Sequence, residues 1–292
     1  MELLPHLLLA LLESAVNTSI LALTALGLSL VFGVMRVSNM AHGEFFMLGA
    51  VITYLVSTVV GSPFWAFAIA VVAAPLAVGA IAYVFDFLVL QRIKYQQEKT
   101  IVATIALLYL AQQSVLSTVG PDARSVEPPV YFLIPLPWFG ISGHKLVVVV
   151  LALLLLLCMW LFLKRSRIGL YMRATQDNME MAQAFGVPVR RLYAIVFATG
   201  AMIAALAAVL VVPIQQAHYL MGQNPLMMSF IVVILGGLGS IRGTLLAAAL
   251  VGFGDGMVSV LVSPLLAKIV VTLIVAFVLI ARPQGLFAEK TT

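Results

Sequence analysis

Charge is scarce in this sequence, and cysteine almost absent. Only 9% of its 292 residues are Asp, Glu, Lys or Arg, where a soluble domain carries roughly 25%. That shortfall excludes an ordinary water-soluble fold. The one cysteine, Cys158, sits inside an apolar run, so neither a disulfide framework nor a Cys-based metal site is available. No Gly-Lys pair occurs anywhere, which removes a Walker A loop as a means of holding ATP. HExxH, GxSxG and paired-carboxylate arrangements are missing too, so no set of catalytic groups is legible and the expectation is not an enzyme. The net charge is +5, but no dense Lys/Arg patch with interleaved aromatics accompanies it, which argues against a nucleic-acid partner. No basic segment precedes the first apolar stretch, so the first span is expected to serve as an uncleaved signal.

What the chain has in abundance is apolar length. It is 63% hydrophobic, with a mean hydropathy of +1.14, as a polytopic membrane protein must be. Apolar runs separated by charges or turn residues predict about nine spans, with eight and ten as the neighbouring counts, near the roughly 20 residues a bilayer requires. They cover about 13–35, 43–60, 64–90, 100–119, 145–163, 193–213, 225–241, 243–262 and 266–281. The fold class is therefore all-α, a transmembrane helical bundle forming a single domain over residues 1–292. With the N-terminus outside and the C-terminus cytoplasmic, thirteen of the sixteen Lys and Arg residues fall at inner ends, and only Arg124, Lys145 and Lys268 outside. The positive-inside rule selects that orientation.

The longest polar segment is Arg167–Arg191, within an inner loop at about 164–192. Asp177 and Glu180 have the spacing of a capping box. Gly186 and Pro188 supply a stop. A helix of roughly two turns is expected between them, with Met179, Ala182 and Phe185 as one apolar stripe. It is far too short to cross a bilayer. It is either a docking element for a soluble cytoplasmic partner or a membrane-surface loop that touches nothing.

Polar residues inside apolar runs are the other candidates. Asn39, His42 and Glu44 lie with Arg36 and Gly43 between the first two spans. They read as a helix break that lines or gates a pathway, or as a short loop with Glu44 favoured at a helix N-terminus. Asp255 lies deep in the eighth span between Gly254 and Gly256. A carboxylate there must face protein or water, or stay protonated, and it serves either a pathway or an interhelical hydrogen bond. Asp86 is expected at the membrane interface. Asn17, Thr18, Gln112, Gln113, Gln215, Gln216, His218 and Asn224 read as helix-pairing groups. The glycine-dense run Gly236–Gly243 reads as a tight inner turn or a broken helix, and Gly239/Gly243 and Gly252/Gly256 as GxxxG pairs. The outer loop 120–145 carries Tyr131, Phe132, Trp138 and Phe139 among its prolines, as an interfacial belt or a docking surface.

Several of these stretches together resemble one family. Ser38 to Ala50, SNMAHGEFFMLGA, is close to N-x-A-H-G-[DE]-x-x-M-L-G-A. Arg173–Asp177, Ala184–Val187, the run Gly236–Gly243 and the tail Arg282–Phe287 continue the likeness over nearly the whole length. The chain is similar to permease subunits of branched-chain amino acid ABC importers, of the LivH type. That resemblance implies a fold like the ribose-type permeases in a bacterial inner membrane. It implies a homologous second permease (LivM type), two cytoplasmic ATPase subunits holding ATP and Mg, and a periplasmic solute-binding protein, with no cofactor in this chain. The helix near Asp177–Gly186 then resembles a coupling helix, with Thr175, Asp177, Glu180, Ala184, Phe185 and Gly186 toward the ATPase. Glu180 and Gly186 keep the spacing of the E-A-A-x-x-x-G pattern, with Met181 in place of its first Ala, and Arg242 departs from the small residue or proline common in relatives. The solute expected is a branched-chain or other hydrophobic amino acid; urea, short amides and small carboxylic acids are alternatives within the same machinery. A stand-alone ion-coupled transporter using Asp255 and His42 is the reading from another class.

Overall fold

A computed structural model describes residues 3–135, 140–282, 285 and 286. Pro137, Trp138, Phe139, Pro283, Gln284, Phe287 and Lys290 lie outside the described residues. Eleven α-helices follow one another among those described: α1 (Leu3–Met35), α2 (His42–Val59), α3 (Pro63–Phe85), α4 (Gln97–Thr118), α5 (Gly143–Arg165), α6 (Arg167–Asp177), α7 (Met179–Ala184), α8 (Val189–Val211), α9 (Gln223–Gly236), α10 (Ile241–Leu261) and α11 (Pro264–Ala281). Seven are long and apolar enough to cross a membrane: α1, α2, α3 with its extension to Leu90, α4, α5, α8 and α10. Two shorter apolar helices accompany them, Gln223–Gly236 and Pro264–Val278. Each of the nine expected runs thus meets a helix. The first begins about ten residues earlier than hydropathy placed it, and the seventh is only 14 residues long.

Burial orders these helices. α1 and α8 are the most enclosed and form the centre, while α3, α4, α5, α10 and α11 turn apolar side chains outward. α1 packs against α10, α8, α9 and α5, and α8 against α3 and α2. The buried face of α8 is built from Ala201, Ala204, Ala205, Ala207 and Ala208. Small side chains let backbones approach closely where lipid supplies no hydrophobic drive between helices.

α2 does not start at the end of the bundle. The His42 ring Nε2 lies 2.8 Å from the carbonyl oxygen of Thr24, eleven residues before the end of α1, or about 16 Å along its axis at 1.5 Å per residue. Arg36, at φ 54°, turns the chain back, and residues 37–41 run up into the bundle. α9 likewise starts inside, its N-cap Gly222 against Gly43. That is why the seventh apolar run is short of a full span.

Smaller departures have local causes. A two-stranded ribbon, Leu133–Pro135 paired with Gly140–Ser142, interrupts the all-α expectation in the prolyl outer loop. The run at Gly236 is a tight turn, with Gly237 at φ 96° and Gly239 at φ 86° and Ser240 capping α10, so Gly239/Gly243 is not a helical pair. Gly252 and Gly256 do pack on α1, against Thr18 and Ser14. Asp86, expected at the membrane interface, is buried within the protein: it opens a π-helical turn, Asp86–Leu90, and accepts hydrogen bonds from Gln91 Nε2 at 2.9 Å and Tyr95 Oη at 3.3 Å.

Candidate functional site

The close fit of α10 on α1 brings two polar side chains of the membrane interior together. Asn17 Nδ2 donates to Asp255 Oδ2 at 3.0 Å. Beside them a cavity of about 90 Å³ opens between α1, α2, α9 and α10. Asn17, Thr24, Gln215, Asn224 and Asp255 supply its polar wall, and Leu21, Phe46 and Met228 its apolar one. No protein donor engages the other Asp255 oxygen among the described residues, and Asp255 is partly exposed toward this space. Asp255 thus makes the interhelical hydrogen bond that one reading expected, and it also lines a cavity. Asn224 sits in the first turn of α9, where unsatisfied amides carry partial positive charge. The cavity thus offers a carboxylate on one wall, a helix N-terminus on another, and apolar surface between.

Asn39, His42 and Glu44 lie elsewhere. All three are buried and none lines the cavity. Asn39 Oδ1 accepts from the Ala41 amide at 3.0 Å, closing a local turn that starts α2. Glu44 Oε1 accepts from Gln112 Nε2 at 2.8 Å, and the Met40 amide donates to Thr104 Oγ1 at 3.2 Å. The segment is thus not a surface loop, and it lies outside the lining of this cavity. It is a set of polar clamps tying the re-entrant segment to α4 and, through His42, to the Thr24 carbonyl behind the cavity wall. Glu44 bonds across to α4 and does not serve as a solvated N-terminal charge. Gln112 acts as the pairing group the sequence suggested.

The second candidate is the arm formed by α6 and α7. Ser166 Oγ accepts from the Gly169 amide at 2.9 Å and starts α6. The chain bends at Asn178 (φ −151°, ψ 106°), which caps α7 by accepting from the Met181 amide at 3.0 Å. This corrects the capping box read at Asp177 and Glu180: Asp177 is still the last residue of α6, so its side chain is one position too early to cap. The end of α7 satisfies its carbonyls in a Schellman arrangement, Gly186 N to Gln183 O at 2.9 Å and Val187 N to Ala182 O at 3.0 Å, with Gly186 at φ 84°, a conformation costly for any residue with a Cβ.

The expected apolar stripe splits. Ala182 is buried, and Met179 Sδ accepts from the Tyr193 hydroxyl at 3.2 Å. Phe185 is 82% exposed and Met181 53%. Asp177, Glu180 and Ala184 are exposed too, whereas Thr175 is buried and faces the fold. Gln176, which sequence reasoning did not single out, ties the arm down: its Nε2 donates to the Gly239 carbonyl at 2.7 Å, and its own carbonyl accepts from Arg36 at 3.2 Å. Nothing in the local pattern distinguishes it, since both partners are far away in sequence. The arm is thereby joined to the end of α1 and to the turn between α9 and α10. Asn178→Ala should cost about 1 kcal/mol of local helix stability, and Gly186→Ala about 1–2 kcal/mol. Amide exchange over 179–187 should quicken by roughly five- to thirtyfold on that scale, with α8 unchanged. Equal exchange in wild type and variants would show that the caps do not hold α7.

The family description "Branched-chain amino acid transport system / permease component" matches residues 10–279. Among similar proteins, the high-affinity branched-chain amino acid permease LivH of Escherichia coli is 27% identical over 286 residues, covering 92% of this chain and 91% of that one. BraD of Pseudomonas aeruginosa, a permease named for the same transport, is 26% identical over 310 residues, covering 97% and 96%. The probable LivH of Methanocaldococcus jannaschii is 24% identical over 259 residues, covering 85% and 80%. No solved structure matches the chain significantly.

Proposed function

The chain belongs to the branched-chain amino acid transport permease family, and we propose that it is the membrane-spanning subunit of an ATP-driven importer fed by a periplasmic solute-binding protein. The observation that carries this reading is α7, a six-residue helix capped at both ends, anchored by Ala182 and presenting Met181 and Phe185 outward. Large exposed apolar groups on a small, well-fixed element are what a soluble partner subunit needs as anchors. In this reading the nine apolar helices of a ribose-permease-like bundle span a bacterial inner membrane, the N-terminus faces outside, and the loop 164–192 is cytoplasmic. Two ATPase subunits bind ATP and Mg, and a second, LivM-type permease completes the pathway. ATP-driven closure of the ATPase pair moves α7, and Gln176 passes that displacement to Gly239 and to Arg36. The far end of α9 and the middle of α1 wall the cavity at Asp255, so the arm and the cavity share two rigid helices.

The solute is a branched-chain or other hydrophobic amino acid. Asp255 suits an ammonium group, the first turn of α9 a carboxylate, and Leu21, Phe46 and Met228 an aliphatic side chain. The test is ATP hydrolysis by the reconstituted complex in proteoliposomes, with binding protein, across leucine, isoleucine, valine, urea and small amides. Stimulation by the three amino acids is the expected result; stimulation by urea or an amide alone would keep the machinery and change the solute. Asp255→Asn preserves volume and removes the charge, and should lower leucine uptake about ten- to hundredfold, given roughly 1.5–3 kcal/mol for a hydrogen bond to a charged group. Undiminished uptake would remove Asp255 from the pathway. The second reading, an ion-coupled transporter built on Asp255, rests on the same partly exposed carboxylate. It requires uptake on an ion gradient without any ATPase.

A further inference from the structure

A second, larger cavity of about 400 Å³ lies at the other end of the molecule, between the π-helical turn, the foot of α8 and the flank of α7. That volume is in the range of roughly 300–1,000 Å³ typical of small-ligand sites. Arg92, Lys94 and Arg190 line it, over a floor that includes Tyr95, Val189 and Tyr193. None of the three cations makes an ion pair among the described residues. Arg190 Nε donates to Gln91 Oε1 at 2.7 Å, and Gln91 and Tyr95 both donate to Asp86. Asp86 Oδ2 is thus occupied by neutral donors, and the single carboxylate offsets only one of three positive charges. Burial, then the neighbouring Asp86, raises the Tyr95 phenol above its usual range, so the hydroxyl stays protonated and a donor. Lys94 and Tyr95 both hold positive φ, at 53° and 54°. Left-handed backbone at two successive residues other than glycine is costly and collects at functional sites, as do single π-helical turns.

We infer that this cavity binds the phosphate of an anionic phospholipid headgroup, held by Arg92, Lys94 and Arg190. Basic cavities at the cytoplasmic ends of transmembrane helices fit such headgroups, and planar guanidinium forks match phosphate oxygens two at a time. The cavity adjoins the bilayer, because Phe87 and Leu88, on the turn just before it, are exposed. It is also separate from the surface assigned to the ATPase. Met179 and Gln183 face the cavity, and at 100° per residue Met181 projects from the opposite side of α7, with the exposed Phe185 just past its end. A bound headgroup would therefore brace the arm from behind and leave its docking side free. From the preceding section the inference takes only the orientation that puts this end in the cytoplasm.

The test reads lipid retention, which is independent of transport. The full chain, extracted with its partner subunits and washed in detergent, is analysed by mass spectrometry after equilibration with vesicles of phosphatidylcholine alone or with added phosphatidylglycerol. Retained phosphatidylglycerol is expected in the wild type, and Arg92→Gln/Lys94→Gln/Arg190→Gln should weaken it on the order of a hundredfold. Arg165→Gln/Arg167→Gln/Arg191→Gln removes the same charge from the same end outside the cavity and should retain the lipid. The inference is overturned if both triple variants lose it equally, which means bulk attraction, or if neither does. Saturable binding of inorganic phosphate by the wild type, abolished in the first variant and without retained lipid, would assign the cavity to a free anion instead. Loss of the ATPase from the first variant, with lipid unchanged, would make it a protein-docking surface. Equal melting temperatures of the two triple variants confirm that folding is not what differs.

Discussion

Met181→Asp/Phe185→Asp should leave the permease folded in the membrane and strip the ATPase from it. Both side chains project into water from a helix capped at each end, so neither substitution removes a packed contact. Exposed replacements of that kind usually shift stability by within about 0.5 kcal/mol. The effect on association is of another size. Truncating a buried aromatic anchor at an interface costs about 2 kcal/mol or more, and a carboxylate in its place adds the penalty of a desolvated, unpaired charge. Together they predict association weakened at least a hundredfold, read as loss of nucleotide-binding subunits on co-purification at unchanged membrane content of the permease. Ala182→Asp is the contrasting variant: that residue is buried against the fold, so it should unseat α7 and lower thermal stability as well. If the double variant keeps its ATPase and its solute-stimulated hydrolysis, α7 is a surface loop and the coupling reading fails.

The same arm shows how far local pattern reaches. A short helix between polar bends was legible because capping and stop residues act over three or four positions. Its exact cap was not, because Asp177 and Asn178 are both good caps and the choice depends on where α6 ends. The split of the Met179, Ala182 and Phe185 stripe was hidden for a related reason: periodicity says which residues share a face, and here the last of them lies past the end of the helix. Hydropathy located nine apolar runs, and helices stand at all nine. It did not show that α2 and α9 begin inside the bundle, since an apolar residue looks the same at mid-depth and at the end. The gathering of Asn17, Thr24, Gln215, Asn224 and Asp255 around one cavity spans more than two hundred residues of sequence. Asn17, Gln215, Asn224 and Asp255 were each visible singly as polar groups, Thr24 was not, and only the packing of α10 on α1 shows which belong together. Asn39, His42 and Glu44 are the opposite case: a conspicuous motif of which one polar atom each holds the chain in place, while Asn39 Nδ2, His42 Nδ1 and Glu44 Oε2 are buried without a partner among the described residues.

Gly43→Val should abolish the folded bundle, and Gly222→Ala should come close to doing so, because the first turns of α2 and α9 touch through backbone alone. A Cβ built at Gly43 would stand 2.2 Å from the carbonyl oxygen of Gly222 and 2.7 Å from the Leu226 Cβ; one at Gly222 would stand 2.1 Å from the Gly43 carbonyl oxygen. These neighbours are backbone and a helix-fixed Cβ, so no side-chain rotation relieves the overlap. The helices must separate by about an ångström or more, and the damage spreads in two directions. His42, next to Gly43, loses its 2.8 Å contact with the Thr24 carbonyl, leaving a buried ring nitrogen without a partner, at about 1–3 kcal/mol. Asn224 moves with Gly222 and takes one wall of the cavity with it. Overpacking alone costs about 1–3 kcal/mol, occasionally more, so the sum is a large part of the 5–15 kcal/mol that holds a typical protein folded. Gly254→Ala provides the control, because a Cβ there meets nothing within 4 Å and a helix gains about 1 kcal/mol from the exchange. In thermal unfolding of the purified permease, Gly254→Ala should match or exceed the wild type while Gly43→Val yields no cooperative transition. If Gly43→Val melts like the wild type, α2 and α9 do not meet at these two residues, and the cavity they frame is not held by their contact.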